Sequence, residues 1–335
     1  MTETDRTARP EVEGLTVLDA TDRLMEHDPT LDRKEVRGAL YTVSAYGEEV
    51  EELLTWEAVE SKLAHLSKVV STPETRAELA EIALEDALEA AGEERVREVV
   101  QTRLDGHAAR LDRIQREVTD LGADLRRLTE ADEDLYTVAQ GIVDLERRSN
   151  GLQKLADDLQ LELEEFETWV SNPRSRFDEL TGDLNALSES LEQVSDGLDR
   201  IERAVETGDT EPLETDDTAL AWVDATFTHH VLELLLEDLR WEFDALRAWS
   251  DEDGDEVTDR VETVEDRLTE FERRVDDVGD RLSSVARQRW ADRFADERAA
   301  FEADLEDVSP PIDWGAVQAT LTEHRQGLQP ETETE

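Results

Sequence analysis

Six histidines, at positions 27, 65, 107, 229, 230 and 324, are the residues best suited to proton or metal chemistry. His229 and Glu233 stand four residues apart, the helical spacing of a ligand pair. His230 is adjacent and so points to another helix face. The histidines are read as helix-surface or partly buried side chains of a bundle, and no metal site is predicted. His107 falls three residues after Leu104 and four before Leu111, on an apolar seam. A polar seam residue there can set helix register, or respond to pH near its ordinary pKa of about 6.5. Carboxylates number 88, so no single acidic pair is informative. The acidic clusters around residues 251–256 and 276–280 read as solvated faces, and no EF-hand spacing occurs.

Arginine collects in two places. Six arginines lie between Arg103 and Arg127, among five acids, and five lie between Arg281 and Arg298, flanking Trp290 and Phe294. Such groups can grip phosphates, but intramolecular pairing with acidic helices is the simpler use. The chain has no cysteine, which removes disulfides, thiolate metal sites and cysteine nucleophiles. It contains no Gly-rich phosphate loop, no G-x-S-x-G elbow and no H-E-x-x-H motif. No catalytic residue, cofactor or metal is predicted.

The elements that would position these groups are helices. Val100, Leu104, Leu111, Ile114, Val118, Leu121, Leu125 and Leu128 repeat at alternating spacings of three and four. Leu135, Ala139 and Ile142 continue the phase across Asp132; it slips near residues 146–150 and resumes at Leu152. Asn172-Pro173 breaks the helix, because proline lacks an amide donor and disfavours helical geometry before it. Two unbroken runs follow. The first is Phe177, Leu180, Leu184, Leu187, Leu191, Val194, Leu198, Ile201 and Val205. The second is Val257, Val261, Val264, Leu268, Phe271, Val275, Val278, Leu282 and Val285. A stripe two residues wide in every seven needs a facing helix to bury it. These seam residues, with Leu111, Ile114, Val118, Leu121, Leu125 and Leu128, are the candidate interaction surface.

Between the two runs, residues 220–249 are apolar on more than one face, with Trp222, Phe227, Trp241, Phe243 and Trp249 among them. Such a helix is covered on several sides and reads as the centre of a bundle. Near the N-terminus, Asp32 and Glu35 form a capping-box variant, and Ser71, Pro73 and Glu74 form a stronger helix start. About four short helices are expected there, with Leu79 and Ile82 on an apolar face and Tyr41, Tyr46 and Trp56 at least half-buried.

The predicted organisation is a disordered tail over 1–13 and a small helical domain over 14–92. Long heptad helices follow over 93–205, broken near 172–173, then a linker over 206–218. An apolar helix and a heptad helix fill 219–308, and a C-terminal tail with a short helix near 317–328 fills 309–335. The fold class is all-α: an elongated antiparallel helical bundle or coiled coil with a small helical N-terminal domain.

Acidic residues number 88 against 36 basic ones, a formal net charge of -52. That field repels nucleic acids and anionic lipid. At molar salt the Debye length is only about 3 Å, and the self-repulsion is screened. Lysine occurs only at positions 34, 62, 68 and 154. A carboxylate-rich, lysine-poor surface suits a salt-saturated cytoplasm, so an extreme halophile is the expected source. No apolar stretch reaches the roughly 18 residues of a membrane span, and the N-terminus has no apolar signal segment. Cytoplasmic location and no membrane partner are expected.

Three segments carry a resemblance to a family: residues 67–87 (SKVVSTPETRAELAEIALEDA), 134–142 (DLYTVAQGI) and 152–180 (LQKLADDLQLELEEFETWVSNPRSRFDEL). They resemble a haloarchaeal group labelled "halo transducer protein". The resemblance implies signalling and carries over no reaction, cofactor or site residue. The chain lacks the membrane spans and the Gly/Ala-rich hairpin tip of a chemotaxis transducer. The expected function is a non-enzymatic helical scaffold or adaptor. It would act by self-association or on a protein partner through coiled-coil contacts. The alternative is a nucleic-acid-associated regulator, with a helix-turn-helix-like unit in residues 30–70 and an oligomerising stalk. Nucleic acid is not the expected partner, because the global field opposes it.

Overall fold

A computed structural model describes residues 9–44, 53–130, 133–207, 217–254 and 257–328. The described residues form eleven α-helices: α1 (Val17–His27), α2 (Arg33–Ser44), α3 (Trp56–Ala91), α4 (Glu98–Glu130), α5 (Leu135–Ser171) and α6 (Pro173–Thr207), then α7 (Asp217–Asp253), α8 (Thr258–Val285), α9 (Gln288–Arg293), α10 (Ala295–Leu305) and α11 (Trp314–Gly327). The fold is all-α, and the only β contact among the described residues is one isolated bridge between Thr16 and Leu53. No helix is long and apolar enough to cross a membrane among the described residues. The chain divides into two units, residues 1–96 with 103–167 and residues 97–102 with 168–335.

In the first unit, α1 and α2 start on side-chain caps. Thr16 accepts from the Asp19 amide at 3.2 Å. Asp32 accepts from the Lys34 and Glu35 amides at 2.8 and 2.9 Å, as its spacing predicts. In place of four short helices there are these two and one of 36 residues, α3, which runs straight through Pro73. The predicted helix start at Ser71 is therefore absent, and the reason lies in another helix. A proline at 73 cannot donate to the Val69 carbonyl, its normal helical acceptor. Ser149 of α5, 1 % exposed, donates to that carbonyl at 3.0 Å instead.

Helices α3 and α5 run parallel. Lys62 pairs with Glu146 at 2.5 Å, and Arg76 with Asp157 at 3.4 Å. Helix α4 runs against α5: Asp124 meets Arg148 at 2.5 Å, and His107 lies on Phe166. Leu135, Ala139 and Ile142, which continue the seam phase in sequence, thus belong to a separate helix antiparallel to α4, with Asp134 accepting from the Thr137 amide at its start; Asp132 lies outside the described residues. The later phase slip near residues 146–150 does not interrupt α5. Gly141 makes the close approach possible, because a Cβ there would meet Leu128 Cδ1 at 2.7 Å. Along α3 the buried face is alanine (Ala77, Ala80, Ala83 and Ala87), and Leu79 and Ile82 point outward and are exposed. Tyr41 and Trp56 are exposed too, and Tyr46 lies outside the described residues.

In the second unit, α6, α7 and α8 form an up-down-up bundle. Arg260, Arg267, Arg274 and Arg281 on α8 stand seven residues apart, and so do Asp178, Asn185, Glu192 and Asp199 on α6. They pair in order, always 82 positions apart. The Arg260–Asp178 contact is 2.9 Å and the Arg274–Glu192 contact 3.5 Å. Arg281 also reaches Glu202 at 2.9 Å and Ser195 at 3.0 Å. A constant offset means that α6 and α8 are parallel. Helix α7 runs against both: Arg240 pairs with Glu272 and Arg247 with Glu265 on α8, and Phe243 stacks edge-on against Phe177 of α6. Trp222 Nε1 donates to the Leu282 carbonyl at 3.1 Å, one heptad from a matching contact of His229.

The break at Pro173 is met differently from the one at Pro73. Pro173 leaves the Trp169 carbonyl without its helical donor, and the Arg174 amide turns to Asn172 Oδ1. Arg176 supplies both missing bonds, to Trp169 O at 3.1 Å and Val170 O at 2.7 Å. Its guanidinium, 3 % exposed, lies 3.2 Å from the centroid of the Trp249 ring. After α8, Phe301 of α10 packs on Phe227 of α7, and Arg325 of α11 bonds Asp224 at 2.6 Å.

Two outcomes follow for stability. Ser149→Ala should cost about 1–3 kcal/mol, the penalty of an unmet polar group. Pro73→Ala should relieve that cost by restoring the amide donor, so urea denaturation of the double variant should be markedly non-additive. Leu268→Ala, at a seam position with no exposure, should cost about 2–5 kcal/mol in the same measurement.

Candidate functional site

Most of the seam residues singled out by spacing are buried inside the bundles, and the rest are half-buried. On α6, Phe177, Leu180, Leu184, Leu191, Leu198 and Ile201 are buried; Leu187, Val194 and Val205 are half-buried. On α8, Val264, Leu268, Phe271, Val275, Val278, Leu282 and Val285 are buried, as is Val257 just before it, and Val261 is half-buried. On α4, Leu111, Ile114 and Leu121 are buried and Val118, Leu125 and Leu128 half-buried. The α6 and α8 stripes face each other and α7, which consumes them within one chain.

His107 sits within the first unit, its ring edge-on to Phe166 with centroids 6.0 Å apart. Burial pushes its pKa below the usual histidine range, against the pull of Glu162. The neutral ring therefore packs as an aromatic side chain.

The second unit has a cleft of about 320 Å³ between α7, α8 and α10. Thr226, Phe227, His229, His230 and Glu233 come from α7, Gly279, Leu282 and Ser283 from α8, and Arg298, Phe301 and Glu302 from α10. Helical spacing on α7 sets the first group: His229 and His230 both reach Glu233, at 3.7 and 3.3 Å. Gly279 opens the wall opposite, because a Cβ there would meet the His229 ring at 2.9 Å. His229 Nε2 lies 2.9 Å from the Val275 carbonyl. A carbonyl can only accept, so Nε2 carries the proton.

Phe227 and Phe301 floor the cleft, their centroids 4.3 Å apart. His324 of α11 covers their other side and pairs with Asp304 at 2.8 Å. Further along α7, Asp238 accepts from Trp314 Nε1 at 2.7 Å and from the Ile312 amide at 3.2 Å. Burial raises its pKa, partly offset by those two donors.

The sequence pairing of His229 with Glu233 is thus realised in space, but it joins groups from α8 and α10 that no local spacing indicates. Phe301, Glu302 and Gly279 were not singled out. Of the heptad-spaced arginines of α8 only Arg281 belongs to an arginine group noted in the sequence, although the signal, one arginine every seven residues opposite one polar group every seven, is there in full. Among the described residues, no three His, Asp or Glu groups are arranged to hold a metal ion.

The bond to Glu233 raises the His230 pKa, and its partner's carboxyl is correspondingly lowered. A raised histidine pKa stabilises the fold fully below its unfolded value of about 6.5. That contribution is lost as pH rises through the folded value. The lowered Glu233 contribution is present above its unfolded value and lost on acidification. Glu233→Gln should therefore move the His230 midpoint downward in an NMR titration, and should flatten the fall in stability above about pH 6.5.

No protein family, curated protein or solved structure matches the chain.

Proposed function

We propose that the chain is a non-enzymatic helical scaffold or adaptor of a salt-saturated cytoplasm, acting on a protein partner in signalling. The supporting observation is that both bundles turn most of their apolar seams inward, and that the second closes its α6 and α8 seams with contacts in one register. What remains for a partner is the outer surface. There Leu79 and Ile82 of α3 are exposed one helical turn apart, flanked by Glu78, Glu81, Glu85 and Asp86. Partner recognition thus falls to an outward helix face, since the seam is already occupied. A mixed apolar and acidic face suits an amphipathic basic helix.

The formal charge of -52 supports the salt-rich setting. Unscreened, such a charge opposes the compact state.

Capture from a lysate at molar KCl tests the reading. The Leu79→Glu, Ile82→Glu variant should lose partners that the parent chain retains, while its helicity is unchanged. Retention of the same proteins by the variant would overturn the surface assignment. Retention of duplex DNA by the full chain at molar salt would replace the scaffold with a nucleic-acid regulator. Thermal midpoints should rise with KCl as screening sets in; a midpoint independent of salt would remove the salt-rich setting.

A further inference from the structure

We propose that the cleft between α7, α8 and α10 binds a small primary organic ammonium ion. The reason is a mismatch between hydrogen-bonding groups. With its Nε2 proton committed to the Val275 carbonyl, a neutral His229 presents Nδ1 as a lone pair. That lone pair stands 3.7 Å from Glu233 Oε2, which takes His230 at 3.3 Å and, as a carboxylate oxygen, keeps capacity for a second donor. Two acceptors facing one another call for a donor between them. An ammonium group, with three N–H bonds and a positive charge, answers both atoms and has one bond left.

The rest of the lining fits the same guest. Glu233 and Glu302 contribute two carboxylates against one guanidinium, that of Arg298, which lies 3.6 Å from Glu302. With His230 neutral the lining is net negative, and the acidic chain around it concentrates cations. The Phe227–Phe301 floor suits a short alkyl body. A volume of about 320 Å³ is at the small end for a ligand cleft.

The charge balance makes binding pH-dependent. His230 is faced on α7 by Glu233, Glu237 and His229, and from α10 by Glu302, with Arg298 in the same lining. Helix α8 adds only Gly279, Leu282 and Ser283 to the cleft, none of them charged. Protonation of His230 cancels the net negative charge, so affinity should fall as pH drops through its folded pKa.

The test is a titration of the full chain with n-butylammonium chloride at pH 8 and constant ionic strength, followed by calorimetry and by histidine ring NMR. One saturable site that shifts the His229 and His230 resonances is expected. Tetramethylammonium, with the same charge and no N–H, should bind at least about tenfold more weakly. Glu233→Gln and Gly279→Ala should each weaken butylammonium by a similar factor, and Glu302→Gln checks the second carboxylate should either variant lose helicity. The proposal is overturned by equal affinity for the two cations, by affinity unchanged in Glu233→Gln and Glu302→Gln, or by no saturable binding. Occupation of the imidazoles by zinc chloride but not by butylammonium would overturn it as well.

Discussion

A stripe of leucine, valine and phenylalanine two residues wide cannot face water, and the helices of the second unit are arranged by the need to hide it. Two such stripes, on α6 and α8, have the same seven-residue period. They can be closed together only if the helices keep a fixed axial register. The four arginines of α8 provide it, because each meets a polar group of α6 at the same sequence offset. Single exposed ion pairs contribute little, about 0–1 kcal/mol. Three ion pairs and the Arg267–Asn185 hydrogen bond in one register oppose sliding, because a shift by one residue would misplace all of them.

Arginine fits this place for a chemical reason. Its planar guanidinium spans two acceptors at once and stays charged, as where Arg281 takes Asp199, Glu202 and Ser195 together. In a chain with far more carboxylates than cations, placing the cations along the helix seams neutralises the acids nearest the apolar interior. Acids on the exposed faces are left to water and salt to screen.

Backbone donors impose a second constraint. Each proline inside the helical run removes one N–H, and the structure answers each loss with a side chain. At Pro73 the answer is Ser149 from a distant helix, and α3 continues. At Pro173 it is Arg176 from just beyond, and the helix ends and restarts. The same sequence signal thus leads to two outcomes. What decides between them is whether a neighbouring helix brings a donor to the orphaned carbonyl. A close helix approach has a comparable cost in side-chain volume, met by the alanines of α3 and by Gly141 against Leu128.

Periodicity alone determined that the chain is helical, where α6, α8 and the turn at Asn172-Pro173 lie, and that α7 must be covered on several sides. These follow from local rules: spacing, caps and a missing amide. It also put His229 next to Glu233, because residues four apart share a helix face. It misjudged α3, since the Ser149 bond has no local signature. Only the tertiary structure decided that the seams close within one chain, that α6 and α8 are parallel, and that Gly279 and Phe301 complete the cleft. Each of those depends on which helices become neighbours, a choice made by packing between residues far apart in sequence.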